Sequence, residues 1–228
     1  MTLRHIPDPA EAMNLERDLF ARGAGLVGWS TRRCLIVPRS ISRRSEFAAI
    51  QPTLQRMGWP AVERSSGGGI VPQGPGVLNL SLSVGLPASD RGVTPDFEWL
   101  CAPIVAWLAE AGVEAETRSV PGAFCDGRFN VVVGGRKLAG TAQRRGRGAA
   151  LLHMAVMVDA DIADAIEAIN TLRRAVGRPG EVRAEAHTTL REVLGPSADL
   201  DSMRRSLLRR YGQHLQQRLS PASRSGGR

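Results

Sequence analysis

The sequence predicts an α+β fold with a mixed, largely antiparallel sheet and flanking helices. Helical periodicity and strand-like alternation occur in turn without a regular β-α-β order, and a Gly-Gly pair separates two strand-like segments. The 228 residues, 43% of them hydrophobic, are enough to bury one core. We therefore expect one domain over residues 1–219, followed by a disordered basic tail over residues 220–228.

The N-terminal part contains one helical and one strand-like segment. Residues 9–24 carry apolar side chains at helical spacing, begin with a proline and have Gly23 near their end, which predicts a helix. Residues 34–37 are an apolar run that stops at Pro38, which predicts a strand. We expect Cys34 in this run to be a packing residue rather than a reactive thiol.

The middle of the chain contains a strand, a helix and a hairpin. Leucine and valine alternate with asparagine and serine over residues 78–84, which predicts a half-buried strand. Residues 96–111 have apolar side chains at helical spacing and predict a helix. A two-glycine turn separates residues 130–133 from residues 136–142, and this arrangement predicts a β-hairpin.

The C-terminal part completes the predicted fold with one strand and two helices. Residues 149–158 are almost continuously apolar, which predicts a buried strand. Helical spacing of apolar side chains predicts helices over residues 161–175 and 201–219.

Charge and composition restrict the class of partner. A net charge of +8 predicts an anionic partner. We do not expect nucleic acid, because 4% of the residues are aromatic and no nucleic-acid-binding motif is present. An apolar run of about 18 residues is absent and residues 1–14 are polar, so we expect no membrane partner, no secretion signal and a cytoplasmic location.

The three cysteines do not predict a cross-link. They are widely spaced and form no Cys-x-x-Cys pair, so we expect neither a disulfide framework nor a zinc site. Cys101 lies on the apolar face of the helix predicted over residues 96–111 and is expected to be structural.

Lys137 is the only lysine among 30 basic residues, all the others being arginine. Arginine serves as well as lysine where a surface charge suffices, whereas a site that needs a slim ammonium on a flexible stem resists the replacement. Lys137 is therefore the first candidate for a catalytic residue. The alternative is the chance survival of one surface lysine.

The strand that contains Lys137 carries small residues. Because side chains alternate between the two faces of a strand, we expect Lys137, Ala139 and Thr141 to share one face. Such a surface suits a ligand with an apolar body and an anionic head. The alternative is a half-exposed strand with a solvated lysine.

A glycine-rich segment is the second candidate site, and it reads Arg64-Ser65-Ser66-Gly67-Gly68-Gly69. Residues without Cβ let backbone N–H groups approach a phosphate or carboxylate, and the arginine and serines add donors. The segment matches neither the P-loop nor the dinucleotide fingerprint, so a simple turn remains the alternative.

Several segments together resemble the lipoate-protein ligase A and octanoyltransferase family. The glycine-rich segment continues through Ile70-Val71 to Gly76 and Asn79, and a second, more specific segment runs from Gly127 through Asn130, Lys137 and Thr141 to His153. With shorter matches at residues 13–18 and 189–192, the resemblance covers roughly residues 10–215.

The resemblance implies a catalytic domain similar to the biotin-ligase and class II synthetase core. It implies that the glycine loop lies along the acyl chain and the nucleotide phosphates, that Lys137 contacts the acyl carbonyl or carboxyl oxygen, and that Arg64 helps to hold phosphate. It also implies ATP and Mg²⁺ as cofactors, with lipoate or octanoate as substrate. No residue is assigned as a metal ligand, and the implied acyl- and nucleotide-binding residues are Arg64, Ser66, Gly67, Gly68, Gly69, Gly76, Asn79, Asn130, Ala139, Gly140, Thr141 and His153.

The sequence departs from the family pattern at three places. Gln73 stands where ligases of the family often have histidine, Pro72 stands where they have an aromatic or apolar residue, and residues 38–40 replace their usual Gly-Arg-x-Gln. We expect no separate C-terminal accessory domain, although several ligases of the family need one. The short form is more typical of the acyltransferases.

Cys125 offers a different chemistry. It lies twelve residues before Lys137, and some short members of the family carry octanoyl as a thioester on a cysteine in a comparable loop, without ATP. Arg128 or Lys137 would promote the thiolate, and a bystander thiol is the alternative. His153 is a minor candidate for a base, because a histidine in an apolar strand is more often a hydrogen-bonded core residue.

Three hypotheses follow. The favoured one is an ATP-dependent ligase that forms an acyl-adenylate and transfers the acyl group to a lysine of an acidic lipoyl-accepting domain. The first alternative is a cysteine-dependent octanoyl or lipoyl transferase that uses Cys125, with an acyl carrier protein as a candidate donor. The second alternative is a non-catalytic basic binding module.

Overall fold

The structure is a computed structural model that describes residues 2–64, 67–86, 92–146 and 148–220. Ser66, one of the predicted binding residues, and residues 221–228 of the predicted tail lie outside the described residues. Within the described part of the chain, every helix is too short or too polar to cross a membrane.

Seven helices and ten strands are described. The helices are α1 (Pro9–Arg22), α2 (Arg39–Ser42), α3 (Ser45–Arg56), α4 (Val93–Glu110), α5 (Ile162–Ala175), α6 (Leu190–Leu194) and α7 (Leu200–Leu219), with a 3₁₀ turn at Ala184–Ala186. The strands are β1 (Leu3–His5), β2 (Gly25–Ser30), β3 (Cys34–Pro38), β4 (Ala61–Arg64), β5 (Val71–Gln73), β6 (Val77–Gly85), β7 (Ala115–Arg118), β8 (Asn130–Val133), β9 (Arg136–Gly146) and β10 (Ala149–Met157).

The predicted helices and strands are all present, and their ends differ from the predicted ends by a few residues. The short edge strands β1, β4, β5 and β7 and the helices α2, α3 and α6 are not among the predicted elements, and neither is β2. Strands of three or four residues show too few alternations for a sequence pattern to identify them.

The strands form two sheets. The larger has seven strands in the order β1-β2-β6-β10-β9-β8-β7, and the smaller has three in the order β4-β3-β5. Among the described strands, only the pairs β1–β2 and β3–β4 are parallel. The predicted α+β class with a mixed, largely antiparallel sheet and flanking helices is confirmed.

Two cores lie on opposite faces of the large sheet. Leucines of β6 and β10 pack against α4 and α7 in the first core, where the buried Tyr211 hydroxyl donates to the carbonyl of Leu100 at 2.8 Å. The second core packs Ala155 and Met157 of β10 against β3, α3 and α5. Each fully buried large aliphatic side chain stabilises the fold by about 1.5–3 kcal/mol, so these cores hold the central strands rigidly.

A β-bulge interrupts the hairpin between β8 and β9. Val131 pairs with Ala139, but the next residue of β8, Val132, pairs with Lys137. Leu138 is therefore an extra residue on β9, and an extra residue in one strand breaks the regular alternation of side chains.

The bulge changes which residues share a face with Lys137. A Cβ atom at Gly140 would lie 3.1 Å from the Lys137 ammonium, so Gly140 is on the lysine's side of the strand. Ala139 packs in the core beneath α4 and α7, and the Thr141 hydroxyl donates to the carbonyl of Phe129 at 3.0 Å. The prediction that Lys137, Ala139 and Thr141 share a face is wrong, because it assumed a regular strand.

Gly76 provides a test of packing between the loop that precedes β6 and the end of β10. Its carbonyl accepts hydrogen bonds from Val158 and Asp159, and a Cβ atom at Gly76 would lie 2.3 Å from the Asp159 carbonyl oxygen. We expect Gly76→Ala to lower the free energy of unfolding by about 1–3 kcal/mol, measured by urea denaturation. Gly85→Ala is the matched control, because its nearest neighbouring atom is 3.9 Å away. Equal stability of the two variants would contradict the packing described.

Candidate active site

Lys137 is fully buried, with 0% of its side chain exposed. Its ammonium donates to the carbonyl oxygens of Phe124 at 2.7 Å and Cys125 at 3.2 Å, and it lies 4.5 Å from the centroid of the Phe124 ring. The alternative of a solvated surface lysine is therefore wrong. A buried ammonium is tolerated only when its N–H groups have partners, and the segment that contains Cys125 supplies them.

The Cys125 thiol faces the glycine loop. Its Sγ accepts a hydrogen bond from the backbone N–H of Gly69 at 3.0 Å and lies 4.0 Å from Nη2 of Arg64. Cys125 has a φ of 44°, the only positive value among the described residues other than glycine. Backbone strain of this kind persists only where surrounding contacts hold it, and at functional sites it commonly orients a reactive group.

The consecutive glycines make room for Cys125. A Cβ atom at Gly68 would lie 3.0 Å from the Cys125 sulfur, and one at Gly69 would lie 3.0 Å from the Cys125 Cα. Gly68 also has a φ of 108°, which disfavours a side chain at that position. The loop thus needs glycine at these two positions in order to close over the thiol.

Arg64 holds the same loop from inside. Only 8% of the residue is exposed, and its Nη2 donates to the carbonyls of Gly67 at 2.9 Å and Gly69 at 2.8 Å. Its Nε has no hydrogen-bond partner among the described residues. Arg64 therefore places a positive charge beside Cys125 and keeps one donor available.

Lys137, Cys125 and Arg64 form a cluster with the glycine loop, and the charges of this cluster favour a reactive thiol. Burial raises the pKa of the Cys125 thiol, but the positive charges of Lys137 and Arg64 and the N–H of Gly69 outweigh burial, so that the pKa lies below its ordinary value. Burial lowers the pKa of Lys137 to about 8, although Cys125 and Asp126 act in the opposite direction. A thiolate at Cys125 and the ammonium of Lys137 stabilise each other.

The other two cysteines have the opposite character. Cys34 and Cys101 are buried in apolar surroundings, and burial raises the pKa of each thiol to about 12. Both are packing residues, as predicted. Among the three thiols, only that of Cys125 combines a lowered pKa with partial exposure.

Asn130 and Asp126 brace the loop that contains Cys125. The Asp126 carboxylate accepts hydrogen bonds at 2.8 Å from the Asn130 amide and at 2.8 Å from the backbone N–H of Val120. Asn130, one of the predicted binding residues, thus supports the loop on the side facing β8.

His153 belongs to a separate buried network. Its Nδ1 contacts both the Glu16 carboxylate and the Ser81 hydroxyl, and the Trp29 indole donates to Ser81 at 3.0 Å. Burial raises the pKa of Glu16, but His153, Ser81 and the charge of Arg64 bring it below its ordinary value. Glu16 is not among the predicted site residues, although it lies within the matched residues 13–18.

Gly76 and Asn79 lie beside a cavity that neighbours the cluster. The Asn79 amide exchanges two hydrogen bonds with Gln73, at 2.7 and 3.0 Å, and Gln73 and Gly76 line the cavity. Its volume is about 230 Å³, and its walls include Trp59, Val77, Phe124, Met157 and Ile162, together with Arg33, Asp159 and Asp161. Sites for drug-sized ligands typically measure about 300–1,000 Å³. In the described part of the chain, no group of three or more His, Cys, Asp or Glu side chains is placed to hold a metal ion.

Comparison with known proteins identifies relatives. The family model described as the lipoyl protein ligase A/B catalytic domain matches residues 8–212. An octanoyl-GcvH:protein N-octanoyltransferase of Kyrpidia tusciae is 37% identical over 178 residues, which cover 73% of this chain and 61% of the relative. The corresponding enzyme of Geobacillus kaustophilus is 30% identical over 158 residues, which cover 66% of this chain and 56% of the relative. The chain spans about three fifths of the length of these curated relatives.

Solved structures share the fold. A putative lipoate protein ligase of Thermoplasma acidophilum with bound lipoic acid superposes with a TM-score of 0.73 at 18% identity, covering 95% of this chain and 84% of that one. The biotin protein ligase of Aquifex aeolicus superposes with a TM-score of 0.54 at 12% identity, covering 95% and 69%. The expected similarity to the biotin-ligase and class II synthetase core is confirmed.

Alkylation tests the electrostatics of the cluster. We expect iodoacetamide to modify Cys125 at pH 7 and to leave Cys34 and Cys101 unmodified, as measured by peptide mass spectrometry. Lys137→Met removes a buried positive charge, so we expect the thiol pKa to rise and the alkylation of Cys125 to slow by about tenfold or more. Arg128→Met is the control, because Arg128 is exposed and we expect its loss to slow alkylation by less than about threefold. Equal rates in the two variants would contradict the role given to Lys137.

Proposed function

The chain belongs to the lipoyl protein ligase A/B catalytic domain family, and from this premise we propose that it is a cysteine-dependent acyltransferase. It moves an octanoyl or lipoyl group from one protein to a lysine of another through a thioester on Cys125. The observation that supports this proposal is the Cys125 sulfur, held by the Gly69 N–H at 3.0 Å beside two buried positive charges.

The reaction begins when the Cys125 thiolate attacks the carbonyl carbon of the acyl group on the donor protein. A carbon–sulfur bond forms, the bond from that carbon to the donor's nitrogen or sulfur breaks, and the leaving atom takes up a proton. The ε-amine of the acceptor lysine then attacks the thioester, loses a proton and releases the thiolate. Transfer from one lysine amide to another makes the same kind of bond that it breaks, so it requires no nucleotide.

Lys137 and Gly69 support both steps. The ammonium stabilises the thiolate before attack and after release, and it carries a positive charge toward the oxygen that becomes negative in the tetrahedral intermediate. The Gly69 N–H contacts the sulfur directly. Gly140 leaves room for the lysine stem, since a Cβ atom there would lie 3.1 Å from both Cε and Nζ.

The ATP-dependent ligase remains the second candidate, because a solved structure of the same fold is a lipoate-protein ligase A bound with ATP, with a TM-score of 0.73 at 18% identity. In the present conformation, the residues expected to hold phosphate do not fit a triphosphate. The Gly69 N–H contacts the thiol, Arg64 Nη2 contacts two loop carbonyls, and the Lys137 ammonium contacts two more. We therefore derive no step through ATP or Mg²⁺.

The neighbouring cavity does not change this assignment. Asp159 and Asp161 line it and would repel phosphate groups, and its one arginine, Arg33, is paired with Asp164 at 2.8 Å. A protein-to-protein transfer needs no nucleotide. The names of the relatives from Kyrpidia tusciae and Geobacillus kaustophilus describe a transfer of this kind.

A trapped thioester tests the proposal. We expect incubation with an octanoylated carrier domain, without ATP, to add one octanoyl group to Cys125, which intact mass spectrometry after acid quenching detects. Cys125→Ala removes the nucleophile, so we expect transfer to fall by at least about 10³-fold. Cys34→Ala is the matched control. We expect it to keep both the thioester and the acyl transfer, because Cys34 is fully buried and burial raises its pKa to about 12.

The ATP-dependent ligase hypothesis predicts a different result in the same experiment. If acyl transfer needs ATP and persists in Cys125→Ala, the chain forms an acyl-adenylate and the transferase assignment fails. If neither protein transfers an acyl group and no thioester forms, the non-catalytic binding module is left as the explanation.

The charge of the chain predicts a property of its acceptor. The chain has a net charge of +8, and the exposed Arg128 lies three residues after Cys125. We therefore propose that the acceptor domain is acidic near its modified lysine. Opposite charges accelerate association at low ionic strength and lose this effect when salt screens them.

Salt dependence tests this property. We expect kcat/KM for the acceptor to fall by roughly tenfold or more between 50 mM and 500 mM NaCl, because the screening length shortens across this range. The control is the kcat at saturating acceptor, which is expected to change little. An unchanged kcat/KM would contradict electrostatic recruitment without affecting the chemistry assigned to Cys125.

A further inference from the structure

His187 contacts the segment that precedes the reactive thiol. The residue is 2% exposed, and its ring stacks on the Phe124 ring with centroids 4.5 Å apart and an angle of 11° between the planes. Its Nε2 accepts a hydrogen bond from the backbone N–H of Phe124 at 3.1 Å. The backbone of His187 also forms a parallel β-bridge with Lys137.

The hydrogen bonds of His187 define one tautomer. Nε2 accepts from the Phe124 N–H and so carries no proton, and Nδ1 carries the proton, which it donates to the carbonyl of Arg183 at 2.8 Å. A second proton on the ring would place two N–H groups against each other. The arrangement therefore requires an uncharged imidazole.

The chain around His187 holds the same loop at further points. The backbone N–H of Arg183 donates to the carbonyl of Gly122 at 2.8 Å, and its guanidinium donates to the carbonyl of Pro121 at 3.1 Å. The backbone N–H of Thr188 donates to the carbonyl of Lys137 at 2.9 Å. Residues 183–188 thus connect the loop before Cys125 with the strand that contains Lys137.

The backbone of Phe124 links His187 to the active site. His187 holds its N–H group, while the carbonyl of Phe124 accepts from the Lys137 ammonium at 2.7 Å. The next residue is Cys125, whose positive φ depends on contacts on both sides. The N–H and the carbonyl of Phe124 belong to the two peptide groups on either side of its Cα, so a shift of this backbone would separate the ammonium from its partner and turn the thiol away from Gly69.

We propose that His187 is a positioning residue for acyl transfer, whose uncharged Nε2 fixes the backbone at Phe124 and through it both Cys125 and Lys137. This inference rests on the proposed function, because it concerns the same nucleophile. His187 touches no reacting atom, so its effect is on the geometry and the thiolate population of Cys125.

The surroundings of the ring keep it uncharged at neutral pH. Burial, together with the positive charge of Lys137 from β9, lowers the pKa of His187 to about 4. The carbonyls of Arg183 and Ala184 and the carboxylate of Glu185 act in the opposite direction. The backbone carbonyl of His187 accepts from Arg136, whose guanidinium is paired with Glu192 at 2.7 Å.

Two substitutions distinguish the effect of the Nε2 acceptor from the effect of the stacked His187 ring. His187→Gln keeps an acceptor atom within reach of the Phe124 N–H and does not titrate, whereas His187→Phe keeps an aromatic ring for stacking and has no acceptor. The test is the pH dependence of Cys125 alkylation by iodoacetamide in wild type and in both variants. The reaction needs no acyl donor, so its result is independent of the proposed function.

We expect His187→Phe to shift the midpoint for Cys125 alkylation to higher pH and to slow alkylation at pH 7 by about tenfold, as a rise of one pKa unit implies. We expect His187→Gln to stay within about threefold of wild type. Cys34 and Cys101 report on folding, because they stay unmodified only while the core is intact. A wild-type profile in His187→Phe, or equal slowing in both variants, would overturn the proposal.

A second measurement decides the matter if His187→Phe does not fold. Below the pKa of the Cys125 thiol, the thiolate population falls about tenfold per pH unit. Protonation of His187 adds a further loss of alkylation rate in wild type. Between about pH 5 and pH 3.5 we therefore expect alkylation to decline more steeply in wild type than in His187→Gln. Parallel profiles would overturn the proposal, while a missing thioester on wild-type Cys125 would overturn only the acyl transfer.

Discussion

A single buried ammonium group organises this part of the molecule. Lys137 lies in the interior without contact with solvent, and an ammonium there must have carbonyl or anionic partners. The carbonyls of Phe124 and Cys125 provide them, which requires the segment before β8 to fold back over β9. The glycine loop then closes over the thiol, and residues 183–188 hold the segment from the other side.

The same constraint explains why a thiol with a lowered pKa lies at this position. A buried thiol normally resists ionisation, as the pKa values of about 12 for Cys34 and Cys101 show. Cys125 is also buried to a large extent, but Lys137 and Arg64 are held close by the backbone around it. The thiolate in turn lessens the cost of burying Lys137. The two charges are therefore stable together in a place where neither would be stable alone.

Solved structures of the same fold contain different ligands. The solved relatives include a lipoate-protein ligase A with ATP and a lipoate protein ligase with lipoic acid. In this chain the donors of the loop are directed toward a sulfur and toward carbonyls of the protein itself. This arrangement suits the proposed transfer through a thioester on Cys125, because the acyl group then needs no activation by phosphate.

The sequence alone predicted the fold class and most of the long helices and strands, and it singled out Lys137, because periodicity and composition are properties of local sequence. It also indicated the glycine loop and Cys125 as site elements. Only the tertiary structure decided which of them meet. A bulge opposite Val131 and Val132 moved Ala139 and Thr141 away from Lys137 and brought Gly140 beside it, and no local pattern signals that bulge. His187 lies 63 positions from Phe124 along the chain, so its contact with the loop follows from the packing of distant segments and not from sequence spacing.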